Sequence, residues 1–199
     1  MPRPKVKPDS ELVAATIRVI ERLGPARLTL ADVAKEAGMS AATLVQRFGS
    51  KRGLLLAVAK MGSMGVREEF AQIRERYKSP VRALEGVVEC MAQMARTPEA
   101  LANGLAFLEM DLADPEFHRL ALDHARQFRE QLREILNDAM RAGELRSFAA
   151  GRLANALQSI IGGSMLNWAI HREGKAPAFM RADLETLLAP YRRKKTKRS

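Results

Sequence analysis

Residues 29–51, which read TLADVAKEAGMSAATLVQRFGSK, constrain the fold of this chain more than any other stretch. Thr29 and Asp32 have the spacing of a capping box, in which a hydroxyl and an acid three residues later satisfy free amides at a helix start. Gly38 suits the left-handed backbone that ends a helix, and Ser40 can cap the next one. The segment therefore predicts two short helices joined by a tight turn.

Two short helices joined by a glycine-containing turn of this kind form a helix-turn-helix. In such a unit the second helix lies in the major groove of duplex DNA. The formal charge of +10 is uneven: residues 1–52 hold ten Lys and Arg against five Asp and Glu, and residues 191–199 hold six and none. Basic charge on the helix-turn-helix segment is typical of a phosphate-binding surface. The sequence therefore predicts a duplex DNA partner, whereas the basic tail is interpreted as a solvated chain end.

The composition and the missing motifs exclude several classes of protein. No apolar run reaches the roughly 20 residues of a membrane-spanning helix, and the basic start MPRPKVKPDS lacks the apolar stretch of a secretory signal. The single cysteine, Cys90, excludes an internal disulfide framework and is typical of a reducing compartment. Metalloprotease, P-loop, CxxC and nucleophile-elbow motifs are missing. We therefore expect a cytoplasmic protein without catalytic residues, bound metal or cofactor.

Helix signals dominate the rest of the chain, and strand signals are nearly absent. Ser79-Pro80, Thr97-Pro98 and Asp114-Pro115 each place a capping oxygen before a proline at the first helical position. We expect an all-α fold of nine helices with short connections. Its predicted parts are a three-helix helix-turn-helix domain over residues 1–48, a larger helical ligand-binding and dimerisation domain over 49–191, and a basic disordered tail over 192–199.

The order LVAATIRVIERLG, then LTLADVAKEAGMSAATLVQRFGSKRGLLLAV, at the amino end of an all-helical chain resembles the TetR family of bacterial transcriptional regulators. The specific match is confined to the helix-turn-helix region, and beyond residue 60 only size, helix count and helix boundaries agree. The resemblance implies a homodimer that pairs through its last two helices. It also implies a ligand pocket in the carboxy-terminal domain and a repressor that a small molecule releases from a pseudo-palindromic operator.

The resemblance also implies which residues contact DNA. Thr29, Ser40 and Lys51 would meet phosphates. The positions that would face base edges or the adjoining backbone are Ala41, Ala42, Thr43, Val45 and Gln46. Leu44 and Phe48 would hold this recognition helix against the first helix.

The sequence departs from the family within the recognition helix. Members commonly have Lys-Gly where Ala41-Ala42 stand, and Tyr, an aromatic or polar residue and His where Val45, Gln46 and Arg47 stand. Gln46 can pair bidentately with adenine, Val45 can contact a thymine methyl group, and Arg47 can neutralise a phosphate or read guanine. The bases of the operator therefore do not follow from the resemblance, although DNA binding does.

Ten methionines suggest an adaptable apolar cavity, because methionine fills irregular gaps and accommodates varied apolar ligands. Cavities between the helices of a bundle are a usual ligand location. The candidate pocket residues are Met61, Met64, Met91, Met94, Phe107, Phe128 and Trp168. Any one of these methionines, taken alone, is better explained as an ordinary core residue. As a set they predict a small, largely apolar effector.

A glycine pair, Gly162-Gly163, lies inside the predicted eighth helix and permits close approach of another helix. Glycine within a helix costs about 1 kcal/mol relative to alanine, so packing is expected to compensate. The candidate dimer interface consists of Leu153, Leu157, Ile161, Leu184, Leu187 and Leu188. A monomer would use the same residues for internal packing, and the family resemblance favours the dimer.

One cluster of acids and histidines occurs in the sequence, and it does not predict a metal site. Asp114 is better explained as a helix cap, and Glu109 and Asp111 as charges on a helix surface. His118 belongs to the same cluster. His124 lies on an apolar helix face, where histidine is usually a hydrogen-bonded interior residue.

Two alternatives to a ligand-responsive repressor stay open at this point. One is a helical enzyme or small-molecule carrier in which the amino-terminal helices are structural. The other is a basic protein that coats DNA without regard to sequence. Preference for a palindromic site over random DNA would separate the repressor from both alternatives.

Overall fold

The computed structural model describes residues 7–193, and the chain in this range is built from α-helices. The predicted all-α fold is therefore confirmed. Leu145 and Arg192 form an isolated antiparallel bridge. The helices are α1 (Asp9–Arg27), α2 (Leu30–Ala37), α3 (Ala41–Phe48), α4 (Lys51–Arg76), α5 (Pro80–Met91), α6 (Pro98–Leu105), α7 (Phe107–Ala113), α8 (Pro115–Arg141), α9 (Ala150–His171) and α10 (Ala176–Leu188). Within residues 7–193, none of these helices combines the length and the hydropathy that a bilayer crossing demands.

The described residues form ten α-helices where nine helices were predicted, and the difference lies at one residue. Ala106 separates α6 from α7, yet its backbone (φ −63°, ψ −14°) is itself right-handed helical. The two segments therefore form one interrupted helix, which is the predicted sixth. Counted in this way, the described residues contain the nine predicted helices.

Two of the predicted cap-plus-proline pairs show the expected hydrogen bonds. The Ser79 hydroxyl accepts the amide of Arg82 at 3.2 Å at the start of α5. Asp114 Oδ1 accepts the amides of Glu116 at 2.9 Å and Phe117 at 3.4 Å at the start of α8. Because amides in the first turn lack partners within the helix, these side chains determine where each helix begins.

Gly24 interrupts α1 one turn before the helix ends. Its φ of 75° is left-handed, and the helical hydrogen bonding resumes for one more turn as far as Arg27. A β-carbon at Gly24 would lie 3.0 Å from Oδ1 of Asn103. Glycine is therefore favoured here by the backbone conformation and also by the approach of Asn103.

One compact unit, called unit 1, comprises the chain up to Met64 together with Glu99–His124. Its core is formed by side chains from the first four helices and the start of α8. Leu12, Leu44 and Phe117 are each at most 1% exposed in this core. The predicted end of the DNA-binding domain, residue 48, falls inside unit 1.

The second compact unit, called unit 2, comprises Gly65–Pro98 and the chain from Ala125 onward. Its core contains an edge-to-face pair of aromatic rings, Phe70 and Phe128, whose centroids lie 5.1 Å apart. In the same unit α9 packs against α10 and α10 packs against α5. Of the predicted basic tail, residues 194–199 lie outside the described range.

Candidate DNA-binding surface and effector cleft

The start of α2 is a complete capping box. Thr29 Oγ1 accepts the amide of Asp32 at 3.2 Å, and Asp32 Oδ2 accepts the amide of Thr29 at 3.0 Å. The Thr29 hydroxyl also donates to Asp32 at 2.6 Å, and this hydrogen bond is the main cause that lowers the pKa of Asp32. The Thr29 hydroxyl therefore already donates its proton within the chain. It would have to break this hydrogen bond to Asp32 in order to donate to a phosphate, as predicted.

The turn between α2 and α3 has the geometry that the sequence predicts. Gly38 is left-handed (φ 63°, ψ 47°), and the amide of Met39 closes the turn on the carbonyl of Ala34 at 2.9 Å. Ser40 caps α3 by accepting the amide of Thr43 at 3.1 Å. Two helices of eight residues each, joined by this three-residue turn, form a helix-turn-helix.

The recognition helix α3 presents most of its predicted DNA-contacting residues to solvent. Leu44 is fully buried, and with 3.6 residues per turn Ala42 and Gln46 lie roughly 160° away from it. Both are exposed, and Val45 beside them is 46% exposed. Ala41 differs from the expectation, since it is half-buried and packs against the core of unit 1. The outward face of α3 is therefore centred on Ala42 and Gln46.

The two cations predicted to contact DNA at this surface are engaged within the chain. Arg47 Nη2 lies 2.7 Å from Asp9 Oδ1, and Arg47 Nη1 donates to the carbonyl of Lys7. Lys51 Nζ donates to the carbonyl of Ala26 at 2.7 Å. On α3, Arg47 lies roughly 60° from Leu44, at the flank of the exposed face. A phosphate contact by Arg47 would therefore compete with Asp9.

We expect Asp9→Asn to strengthen binding to duplex DNA. The substitution releases Arg47 from its ion pair and removes a negative charge near the recognition helix. Because an exposed ion pair contributes little, the gain in affinity should be about two- to fivefold. The slope of log K against log salt should steepen by about 0.9 if Arg47 then binds one more phosphate. Fluorescence anisotropy with a random-sequence duplex at several salt concentrations measures both quantities.

Glu11→Gln is the matched control for this prediction. Glu11 stands in the same first turn of α1 and is exposed. Its carboxylate makes no ion pair with any described residue. If Asp9→Asn and Glu11→Gln change affinity and salt slope equally, the effect comes from net charge alone and Asp9 does not compete with DNA for Arg47.

The seven residues predicted to line the ligand pocket are divided between the two units. Met61, Met64 and Phe107 belong to unit 1, whereas Met91, Met94, Phe128 and Trp168 belong to unit 2. Met64 is 70% exposed and Met94 is 51% exposed, so neither is enclosed by its own unit. Phe128 and Trp168 are buried core residues of unit 2.

A cleft of about 280 Å³ lies between α4, α7 and α8 within unit 1. Of the predicted pocket residues, Phe107 lines it. The other lining residues are Val58, Ala59, Gly62, Ser63, Asp111, Leu120, Ala121 and His124. Its walls are mainly apolar, with a few polar groups, which is the usual composition of a small-molecule site.

Asp111 supplies a carboxylate to this cleft. Burial raises its pKa, and the nearby His124 and His118 partly oppose that shift. The Asp111 side chain accepts no hydrogen bond from the described residues, whereas its backbone carbonyl lies 3.1 Å from Nδ1 of His118. A partly desolvated carboxylate without a hydrogen-bond donor favours a cation in the cleft.

The acidic and histidine cluster that the sequence contains does not converge on one point. His124 Nδ1 lies 3.3 Å from the carbonyl of Gly62, while Asp114 caps α8. Among residues 7–193, no three His, Cys, Asp or Glu side chains are grouped so that they could hold a metal ion.

The leucines predicted to form the dimer interface lie mainly inside unit 2. Leu153, Leu157, Ile161, Leu184 and Leu188 are at most 5% exposed, and Leu187 is half-buried. These side chains hold α9 and α10 within one chain. On the outer side of α9, Leu166 is 44% exposed and Ile170 is 75% exposed.

Sequence reasoning interpreted Asp111 as a surface charge and did not single out Arg52 or the α4 residues of the cleft. Arg52 pairs with Asp114 and Glu116, which are more than 60 positions away in the chain. The small residues Ala59 and Gly62, one turn apart on α4, were the available signal for a gap beside that helix.

Two family models together match most of the chain. Residues 12–58 match the model of bacterial regulatory proteins of the tetR family. Residues 66–191 match the carboxy-terminal model of BetI-type transcriptional repressors. The second match alone covers more than half of the chain, so it establishes the family.

Curated relatives agree with this assignment. The HTH-type transcriptional regulator BetI of Agrobacterium fabrum is 34% identical over 127 residues, which cover 63% of this chain and 62% of that protein. The alignment thus spans less than two thirds of that relative. BetI of Rhizobium meliloti is 28% identical over 144 residues, which cover 72% of this chain and 71% of that protein. These relatives are regulators, so the enzyme alternative is not favoured.

A solved structure shows the same fold. A protein from Saccharomonospora viridis in complex with choline matches with a TM-score of 0.77 at 18% identity, covering 94% of this chain and 98% of that one. The helix-turn-helix geometry, both family models and the curated relatives all lead to one assignment. This chain belongs to the TetR family of bacterial regulatory proteins, and its carboxy-terminal domain is of the BetI type.

Proposed function

We propose that this protein is a transcriptional repressor that binds a pseudo-palindromic operator as a homodimer in the bacterial cytoplasm. The exposed outward face of α3 carries this proposal, because Ala42, Val45 and Gln46 are free to meet base edges while Leu44 anchors the helix. The BetI relatives and the repressor-type carboxy-terminal domain support it.

Gln46 is the residue from which we expect the strongest base discrimination. It stands at the centre of the exposed face, and a glutamine can pair bidentately with adenine. Val45 offers an apolar contact to a thymine methyl group. One good bidentate pair discriminates against the wrong base by about 1–3 kcal/mol. We therefore expect adenine–thymine pairs where α3 enters the groove.

The outer face of α9 is the proposed dimer seam. Ser159, Gly162, Gly163, Leu166 and Ile170 recur at three- and four-residue intervals and so share one side of the helix. A β-carbon added at either glycine would meet no atom within 4 Å, so there is room for a second helix to approach. The buried leucines of α9 and α10 would support this face from inside unit 2, whereas its exposed residues would contact the second copy of the chain.

We infer that the effector is a small organic cation with apolar substituents, bound in the cleft of unit 1. The apolar walls fit the expected largely apolar molecule, and the Asp111 carboxylate adds a site for positive charge. Phe107 can stabilise an ammonium group through its ring face. The volume of about 280 Å³ lies just below the usual range for ligand pockets, about 300–1,000 Å³, which favours a small molecule. The choline bound by the protein from Saccharomonospora viridis has this chemistry.

Release of DNA by the effector requires that the cleft binds it with different affinities in two conformations. A coupling of about 1–3 kcal/mol would change DNA affinity roughly 5- to 150-fold. α4 connects the two sites, because it begins three residues after the recognition helix and lines the cleft from Val58 to Ser63. A change in the angle of α4 would therefore alter the spacing of the two recognition helices of a dimer.

Selection of duplexes from a random pool tests the DNA-binding proposal. A homodimeric repressor should enrich a two-fold symmetric site whose half-sites lie one or more helical turns apart. It should bind that site at least about 10³ times more tightly than a scrambled duplex at the same salt concentration. Enrichment of no sequence, with tight binding to every duplex, would instead support the DNA-coating alternative.

Asp111→Asn should weaken choline binding about tenfold, because it removes the negative charge from the cleft. Binding to the selected duplex without choline should be unchanged. Calorimetry with choline chloride measures the first effect, and anisotropy measures the second. Since burial raises the pKa of Asp111, choline binding by the parent should also fall as the pH drops through that pKa.

Glu109→Gln on the same helix is the control, since Glu109 is an exposed acid outside the lining of the cleft. Equal effects of Asp111→Asn and Glu109→Gln on choline binding would contradict the assignment of the cation to this cleft.

A further inference from the structure

Arg52, in the first turn of α4, is exposed and makes four hydrogen bonds to two carboxylates. Its Nη2 donates to both carboxylate oxygens of Asp114, at 2.9 and 2.8 Å, and its Nε donates to Oδ2 at 3.2 Å. Its Nη1 donates to Glu116 Oε2 at 3.0 Å. All three side chains therefore form one charged cluster at the junction of α4 and α8.

The side chains of this cluster have more contacts than the two groups of an isolated surface ion pair. The guanidinium lies over the ring of Phe117, 5.7 Å from its centroid, and Phe117 is 1% exposed in the core of unit 1. Asp114 is held at the same time by the amides that it caps. Hydrogen bonding to Arg52 keeps the pKa of Asp114 below its usual range, so the carboxylate stays charged at neutral pH. A bidentate arginine with fixed partners resists rotation, unlike an isolated exposed pair.

Arg52 is close to the recognition helix along the chain. α3 ends at Phe48 and α4 begins at Lys51, so the cluster is joined to α3 through two intervening residues. A second contact supports the same part of the molecule, since Asn103 Nδ2 donates to the carbonyl of Glu21 in α1 at 2.9 Å. α1 precedes the helix-turn-helix in the chain, and α4 follows it. Each is therefore bonded to the region from α6 to the start of α8, α1 through Asn103 and α4 through Asp114 and Glu116.

We propose that Arg52 is a positioning residue for operator binding, which orients the recognition helix by holding the start of α4 to Asp114 and Glu116. The inference rests on the proposed function, because it assumes that α3 reads an operator. Arg52 itself touches no DNA in this proposal. Its effect on affinity comes from the angle at which α3 is presented.

A direct phosphate contact is the competing role for an exposed arginine next to a recognition helix, and the two roles predict opposite signs. If Arg52 positions α3, Glu116→Gln weakens operator binding in the same direction as Arg52→Gln. If Arg52 binds a phosphate, Glu116→Gln frees the guanidinium and removes a negative charge, so affinity rises. Arg52→Gln would then also flatten the salt slope by about one.

The experiment measures affinity and salt slope for the selected operator duplex with four variants of the full chain. We expect Arg52→Gln to lower affinity about 5- to 20-fold with an unchanged salt slope. Glu116→Gln should lower it about two- to threefold. Arg52→Lys should restore part of the loss, because lysine keeps one ion pair but not the bidentate geometry. Arg119→Gln, which removes an exposed arginine one turn further along α8, should bind as the parent does.

Thermal unfolding of each variant separates positioning from stability, with all titrations performed well below the lowest midpoint. Arg52 variants that unfold at a lower temperature but bind the operator with parental affinity would overturn the proposal. A higher operator affinity of Glu116→Gln would overturn it as well. If the parent itself prefers no duplex, the proposed function fails and the positioning role fails with it. If the parent is selective and the Arg52 variants bind the operator as tightly as the parent does, the positioning role alone is overturned.

Discussion

Leu44→Ala should abolish specific operator binding and destabilise unit 1 by about 2–5 kcal/mol. Leu44 is fully buried between α3 and the helices that support it, so alanine leaves a cavity directly beneath the recognition helix. The cavity removes the contact that holds α3 outward, and a helix of eight residues has little stability of its own. Urea unfolding measures the loss of stability, and anisotropy with the selected duplex measures binding.

Gln46→Ala is the control on the same helix, because Gln46 is exposed on the face opposite Leu44. It should leave the free energy of unfolding within about 0.5 kcal/mol of the parent. Its binding should lose preference at one base position of each half-site rather than fail altogether. If Leu44→Ala binds the operator normally, or if Gln46→Ala retains full base preference, α3 is not the surface that reads DNA.

Phe70→Ala should destabilise unit 2 by about 3–5 kcal/mol. Phe70 is 1% exposed, and its ring meets that of Phe128 edge to face at 89°. The loss combines the buried area, the cavity and an aromatic pair that adds about 0.5–1.5 kcal/mol. Urea unfolding monitored by the fluorescence of Trp168 reports on this unit, since Trp168 is buried within it.

Phe70→Leu provides the comparison, because leucine keeps most of the apolar volume while removing the ring pair. It should cost clearly less than alanine does. Equal destabilisation by leucine and alanine would mean that the ring pair, rather than the filled volume, carries the contribution of Phe70. A negligible effect of both would show that unit 2 can rearrange around this position.

The local part of the fold followed from short-range chemistry. Thr29, Gly38 and Ser40 act on amides and carbonyls within a few positions of themselves, so the two helices and the turn could be predicted from adjacent residues. The caps at Ser79 and Asp114 were predictable for the same reason. The interruption at Ala106 was not, because alanine is a good helix former and gives no local sign of a break.

The site was predictable to the extent that it lies on one helix. Helical periodicity places Leu44 inward and Gln46 outward without any knowledge of the neighbours. The ion pair of Arg47 with Asp9 and the hydrogen bond of Lys51 to Ala26 join residues 25 or more positions apart. No local pattern reveals such partners, so both cations were interpreted as free for phosphate.

The ligand pocket was predicted less completely than the recognition helix, because its lining comes from helices that are distant in the chain. Methionine content indicated an adaptable apolar interior, yet the seven candidates are distributed over two units and Phe107 alone among them lines the cleft of unit 1. The leucines of α9 and α10 were recognised as an apolar stripe, but a stripe does not say which element will cover it. The structure shows that most of these side chains are already buried by other residues of the same chain.

The sequence by itself determined the helical class, the helix-turn-helix and the identity of the residues that face outward from α3, because capping and periodicity act between positions three to five residues apart. The tertiary structure alone decided which charges are already paired, where the cleft opens and which apolar side chains remain uncovered. These properties depend on contacts between helices that are distant in the chain, such as the meeting of Arg52 with Asp114 and Glu116.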